Sequence, residues 1–127
     1  MGWKYKHDFF DEVEFPAGRG TTGHVMEKRP DFCLHMTGTE KDRGAKVVIE
    51  AKLYMKNNEE ISANYYQGLS YAKYGKAQVL VLCDKNQIRV YERNKRGEFD
   101  ENKWTRFRWE EMQNLEKFNE LKHLLSR

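Results

Sequence analysis

Apolar and polar residues alternate with a period of two in several short stretches and recur at helical spacing in two longer ones, a mixture that predicts a sheet flanked by helices. Residues 10–15 read as a strand with Val13 and Phe15 on one side and Glu12 and Glu14 on the other, ended by Pro16 and Gly18. Residues 29–36 read as a second strand, with Phe32, Leu34 and Met36 sharing one face and Asp31, Cys33 and His35 sharing the opposite, polar one. The polar stretch 37–46 holds Gly38 and Gly44 and suits a hairpin connection that returns the chain antiparallel into a strand at 47–53. There Val47, Ile49, Ala51 and Leu53 point one way and Glu50 and Lys52 the other, which puts Asp31 and Glu50 on neighbouring strands.

Asn57 and Asn58 are suited to capping, Glu59 and Glu60 to the positive end of a helix dipole, and Gly75 to a stop, so residues 59–74 are expected to be helical. Ile61, Tyr65, Leu69 and Ala72 form its packing face. Residues 77–83 are almost continuously apolar, as in a central strand, and residues 87–91 follow as a hairpin edge strand. The polar segment 95–103 reads as a mobile loop outside the core, and 104–109 as a short strand. A last helix at 110–125 carries Met112, Leu115, Phe118, Leu121 and Leu125 on one stripe, placed to pack on the sheet or, alternatively, on a partner helix.

Composition narrows the class. A chain of 127 residues suits a single domain spanning 1–127. Charged residues make up 34% and the mean hydropathy is −0.96, but 13% aromatics and clean apolar runs argue for a folded core. The net charge of +3 permits a polyanionic partner without requiring one. Cys33 and Cys83 read as free buried thiols of a reducing compartment, and the four histidines lack zinc-ligand spacing. With no signal peptide and no apolar span, the expected location is the cytoplasm, with no membrane partner. The glycines of residues 18–23 fit GxGxxG, but His24 stands where a P-loop has its lysine and the next element looks like a strand. A strand connection is the better reading, in which Arg19 could still touch a phosphate.

The chemistry lies in Asp31, Glu50 and Lys52. E-x-K occurs three times, at Glu50, Glu101 and Glu120, but only the first has both side chains on one face of a strand. Two carboxylates helped by a backbone carbonyl suit Mg2+, and a lysine beside them can hold an attacking water, which together covers hydrolysis of a phosphodiester. The competing explanation is an exposed cross-strand ion pair between Asp31 and Lys52, which is common and worth little. Gln67 and Tyr71, four apart on the helix, share a face other than the packing face and could orient the lysine, a water or a phosphate.

Arg29-Pro30-Asp31-Phe32, Val48-Ile49-Glu50-Ala51-Lys52 and Gln67-Gly68-Leu69-Ser70-Tyr71, in this order and spacing, resemble the PD-(D/E)xK nuclease superfamily. More narrowly they resemble the nuclease domain near the N-terminus of the restriction subunit of type I restriction enzymes, whose third motif is Q-x-x-x-Y. The resemblance implies an α/β (α+β mixed) restriction-endonuclease-like fold, a mixed central sheet flanked by helices. It implies Asp31, Glu50 and the Ala51 carbonyl as metal ligands, Lys52 as catalytic lysine, and Gln67 and Tyr71 as the third motif. The implied cofactor is Mg2+, with Mn2+ able to substitute; ATP enters only through a motor domain, for which this chain has no Walker-type lysine. The implied partners are double-stranded DNA and the methylase and specificity subunits of a type I complex. Relatives carry a helix ahead of the Gly-Trp found here at Gly2-Trp3, so a piece of a larger restriction subunit lacking that helix is expected. A standalone structure-specific nuclease, or a non-catalytic DNA- or protein-binding module on the same fold, would share much of this pattern.

Overall fold

The computed structural model describes residues 9–11, 15–19, 25–28, 30–39 and 42–126. Its elements run β1 (Phe9–Asp11), β2 (Phe15–Arg19), β3 (Val25–Lys28), β4 (Phe32–Thr37), β5 (Gly44–Ala51), α1 (Asn58–Tyr74), β6 (Val79–Cys83), β7 (Gln87–Glu92), β8 (Thr105–Arg108), a 3-10 helix (Trp109–Gln113) and α2 (Leu115–Leu125). Six strands form one sheet in the order β1-β4-β5-β6-β7-β8, and β2 pairs with β3 in a separate ribbon. Among the described strands only the β5–β6 pair is parallel, with α1 as its crossover, so the sheet is mixed. The protein is thus of mixed α/β architecture, as expected.

A helix covers each face. On the α1 side Tyr65 and Ala72 pack with Cys33, Val48, Leu80, Leu82 and Tyr91. On the other, Leu121 and Leu125 of α2 pack with Leu34, Val47, Val79, Val81, Ile88, Val90 and Phe107. β6 is buried on both faces, which explains its unbroken apolar sequence. The expected α1 caps form: Asn57 Oδ1 accepts from the Glu60 N–H at 3.0 Å and Gly75 closes the helix, while Asn58 is the first helical residue.

Several expectations need correction. Of the strand expected at 10–15, Phe10 and Asp11 lie in β1, paired with β4, and Phe15 in β2, paired with β3, while residues 12–14 lie outside the described residues. Pro16 and Gly18 lie within β2; its register shifts between Pro16 and Arg19, an irregularity of the kind that accommodates proline. Of the glycine-rich stretch 18–23, expected as a strand connection, Gly18 and Arg19 lie in β2 and 20–23 lie outside the described residues. In β4 the alternation fails at His35, whose φ of 55° puts it in the left-handed region. Its ring Nε2–H consequently donates to the Leu125 carbonyl at 2.9 Å, on the α2 side, while Met36 joins the α1-side core. The face of Cys33 is therefore core, and Phe32, expected inside, is exposed.

β5 ends at Ala51, so Leu53 is not on an apolar face; it is 86% exposed. β7 is not an edge strand, because β8 pairs outside it. The helix expected at 110–125 is broken at Asn114, whose side chain accepts from the Lys117 N–H at 3.1 Å and starts α2 afresh. Leu115 is exposed as a result, although Leu121 and Leu125 pack on the sheet as expected. Segment 95–103, expected to be free of the core, is anchored. Glu101 accepts from Ser62 Oγ at 2.7 Å and Tyr66 Oη at 2.9 Å, and Phe99 packs on the core beneath Arg93. No helix among the described residues is long and apolar enough to cross a membrane.

Candidate active site

Asp31 occupies the bend that opens β4, and Glu50, Ala51 and Lys52 run off the end of β5 beside it. The antiparallel register pairs Phe32 with Ile49, which brings Asp31 level with the 50–51 peptide. Two reciprocal hydrogen bonds fix this arrangement. The Asp31 N–H donates to Glu50 Oε1 at 3.2 Å, and the Ala51 N–H donates to Asp31 Oδ2 at 2.9 Å. Each carboxylate thus gives one oxygen to its neighbour's backbone, and the two acids are held together.

Glu50 is only 2% exposed. It lies on the α1 face, level with Leu82 on β6, and Gly68 of α1 sits directly above it. A Cβ at Gly68 would lie 3.3 Å from Glu50 Cγ and 2.8 Å from Leu80 Cδ1, so a glycine is needed for the helix to approach this closely. Burial, and then the nearby Asp31 charge, push the Glu50 carboxyl up from 4.5 to about 7, against the weaker opposing pull of the Asp31 N–H and Lys52. Burial also raises the free thiol of Cys33 to about 12, with Glu50 adding to the effect, and that of Cys83 to about 11. Neither is a nucleophile near neutral pH.

Lys52 is partly exposed, and its Nζ lies 4.0 Å from Glu50 Oε2, a loose pair that leaves the ammonium able to take another partner. Among the described residues its ion pair is with Glu50 and not with Asp31, so the surface-bridge explanation of Asp31 and Lys52 does not hold. Its backbone is fixed, since its N–H donates to the Cys83 carbonyl at 2.9 Å.

Gln67 and Tyr71 meet each other, Gln67 Nε2 donating to Tyr71 Oη at 2.8 Å; Gln67 is exposed, but Tyr71 is half-buried and packs against the α1-side core, so the expected face apart from the packing face is not shared by both. Among the described residues no hydrogen bond joins that pair to Asp31, Glu50 or Lys52. The structure therefore brings together four of the six sequence-derived site residues and leaves the helix pair as a separate unit, one residue from Gly68.

Two residues that support the site were not singled out from the sequence. One is Gly68, whose signal was a glycine inside a helix that it costs about 1 kcal/mol to hold. The other is Asp84, 4% exposed at the β6–β7 turn. Its carboxylate accepts from the N–H groups of Met55, Asn86 and Gln87 at 2.9, 2.8 and 3.0 Å, pinning the loop that follows Lys52. A turn aspartate gives no sequence hint of that long-range bond.

Among the described residues there is no group of three or more His, Cys, Asp and Glu side chains placed to hold a metal. Two adjoining carboxylates are nevertheless a hard-oxygen donor set of the kind Mg2+ accepts, because that ion usually takes one or two carboxylates and keeps several waters. Burial, and then Asp31, disfavour the charged Glu50 carboxylate, and a cation held by the two acids would favour it. Protein-family models, curated proteins and solved structures give no match to this chain.

Proposed function

We propose that the protein is a Mg2+-dependent endonuclease domain that hydrolyses DNA phosphodiester bonds, with a restriction-endonuclease-like core of the type I restriction-subunit kind. The observation that carries this reading is the reciprocal Asp31–Glu50–Ala51 hydrogen bonding, which holds a buried and a part-buried carboxylate together beside a partly exposed lysine. A buried carboxylate held beside a second acid is costly to maintain and marks a candidate functional site. The order of elements supports the fold reading: the β4–β5 hairpin carries the first two motifs and the crossover helix α1 the third, ahead of the parallel strand β6.

In this reading Asp31 and Glu50 hold the metal, with the Ala51 carbonyl as a further oxygen donor. Bound there, Mg2+ would neutralise phosphoryl charge, activate water and stabilise the departing alkoxide. Lys52 orients the attacking water and offsets charge developing on the phosphate. Gln67, exposed and hydrogen-bonded to the half-buried Tyr71, offers its amide, with the Tyr71 hydroxyl beside it, to a phosphate or ordered water. Partnership with methylase and specificity subunits, and coupling to an ATP-driven motor, belong to the same proposal.

The test is cleavage of supercoiled plasmid with Mg2+ or Mn2+ by the unaltered chain and by Lys52→Ala. Loss of a positioned acid–base group costs on the order of 10²- to 10⁴-fold in rate, so the variant should be almost inert. Equal cleavage by both proteins would remove Lys52 from the mechanism. A specific DNA-binding module without chemistry would instead leave plasmid intact under every metal tried.

A further inference from the structure

Three segments converge at the end of the sheet where the carboxylates lie: the loop after β5, the β6–β7 turn and the start of the 3-10 helix. Asp84 ties them together. Its carboxylate holds the Met55 N–H, its carbonyl accepts from Trp109 Nε1 at 2.6 Å, and the adjoining Lys85 N–H donates to the Leu53 carbonyl at 3.3 Å. This fixed platform carries an unusual load: Leu53, Tyr54 and Trp109 are all exposed large apolar residues, and Lys56, Lys85 and Arg108 are exposed cations. Lys85 Nζ sits 4.8 Å from the centre of the Tyr54 ring. Of the acids beside them, Glu60 accepts from the Lys56 N–H at 2.6 Å and Glu111 from the Arg108 N–H at 2.9 Å, while Glu59 and Glu110 are exposed, so the three cations outnumber the two exposed acids.

We propose that this rim grips duplex DNA beside the carboxylate pair, Lys56, Lys85 and Arg108 taking backbone phosphates while Leu53 and Tyr54 meet the sugar and base surface of a groove. The inference deepens the nuclease reading and rests on it for the choice of substrate. Charge complementarity selects the occupant: cations interleaved with half-exposed rings suit a polyanion that also offers flat apolar surface. A rigid rim also loses little conformational freedom on binding. With a net charge of only +3, affinity must come from such local clustering and not from the whole surface.

Binding of a fluorescently labelled duplex, followed by anisotropy in EDTA across a series of salt concentrations, tests the rim apart from cleavage. Lys85→Ala and Arg108→Ala should each weaken binding about 3- to 10-fold and reduce the slope of log affinity against log salt by about one. Leu53→Ser should weaken binding with the slope unchanged. Because these side chains are exposed, thermal melting should not move; Lys85→Gln, which keeps the stem over Tyr54, provides a second check of the charge. Rim variants that bind like the unaltered chain, or an unaltered chain that does not bind, overturn the proposal. Rim-dependent binding by an unaltered chain that leaves plasmid intact under every metal tried supports the rim and overturns the nuclease reading instead, so the two can fail separately.

Discussion

Replacing Glu50 by Gln should stabilise the metal-free protein at alkaline pH, and the size of the gain follows from the burial of this side chain. The Glu50 carboxyl is raised from 4.5 to about 7 by burial and by Asp31. The folded state therefore holds its proton more tightly than the unfolded chain does. The associated stability is fully present below about pH 4.5 and is lost as pH rises through about 7. At 1.36 kcal/mol per pH unit, the loss by pH 8 is on the order of 3 kcal/mol. Glutamine stays neutral throughout and keeps an oxygen for the Asp31 N–H, so it escapes that loss. Urea unfolding in EDTA, followed by tryptophan fluorescence, should show similar stability for both proteins near pH 4.5 and a more stable variant at pH 8. For a chain of this length the same gain corresponds to a melting temperature higher by ~10 °C. A variant no more stable at pH 8 than at pH 4.5, relative to the unaltered chain, would refute the claim that Glu50 is strained by burial beside Asp31.

Other consequences concern the supports of the site. Gly68→Ala, which on an open helix would stabilise by up to about 1 kcal/mol, should instead destabilise by ~1 kcal/mol, because the new methyl meets Leu80 and Glu50. A net gain in urea unfolding would show that α1 has room to spare there. Asp84→Ala strands three backbone N–H groups, that of Met55 in a buried setting, and should cost ~2 kcal/mol. Asp84→Asn should recover part of this; an alanine variant as stable as the unaltered chain would count against Asp84 as the tie. Glu101→Ala should cost ~1 kcal/mol and speed amide exchange around residues 95–103, whereas unchanged exchange would mean that Ser62 and Tyr66 do not anchor that loop.

Much of the fold was legible in the sequence because local pattern and tertiary demand coincide. The apolar run of β6 matches a strand covered on both faces, and Asn57 with Gly75 matches the ends of α1. Alternation in β5 correctly set Glu50 apart from Val47 and Ile49, and the hairpin with β4 brought Asp31 to it. The misreadings arose where one residue's local chemistry overrides a period. His35 takes a left-handed backbone and reverses the faces of β4. Asn114 recaps the last helix and leaves Leu115 outside. Leu53 looked like a continuation of β5, but Asp84 draws the following loop to the β6–β7 turn, a tie made across 29 residues. Long-range side-chain bonds of this kind, like those that Glu101 makes to α1, leave no periodic trace.

The most direct test of the central claim is titration of the metal-free chain with Mn2+ by calorimetry, beside Asp31→Asn and Glu50→Gln. The account predicts one saturable site in the unaltered protein that is lost in both variants. No binding by the unaltered chain, or binding that survives either substitution unchanged, would contradict it.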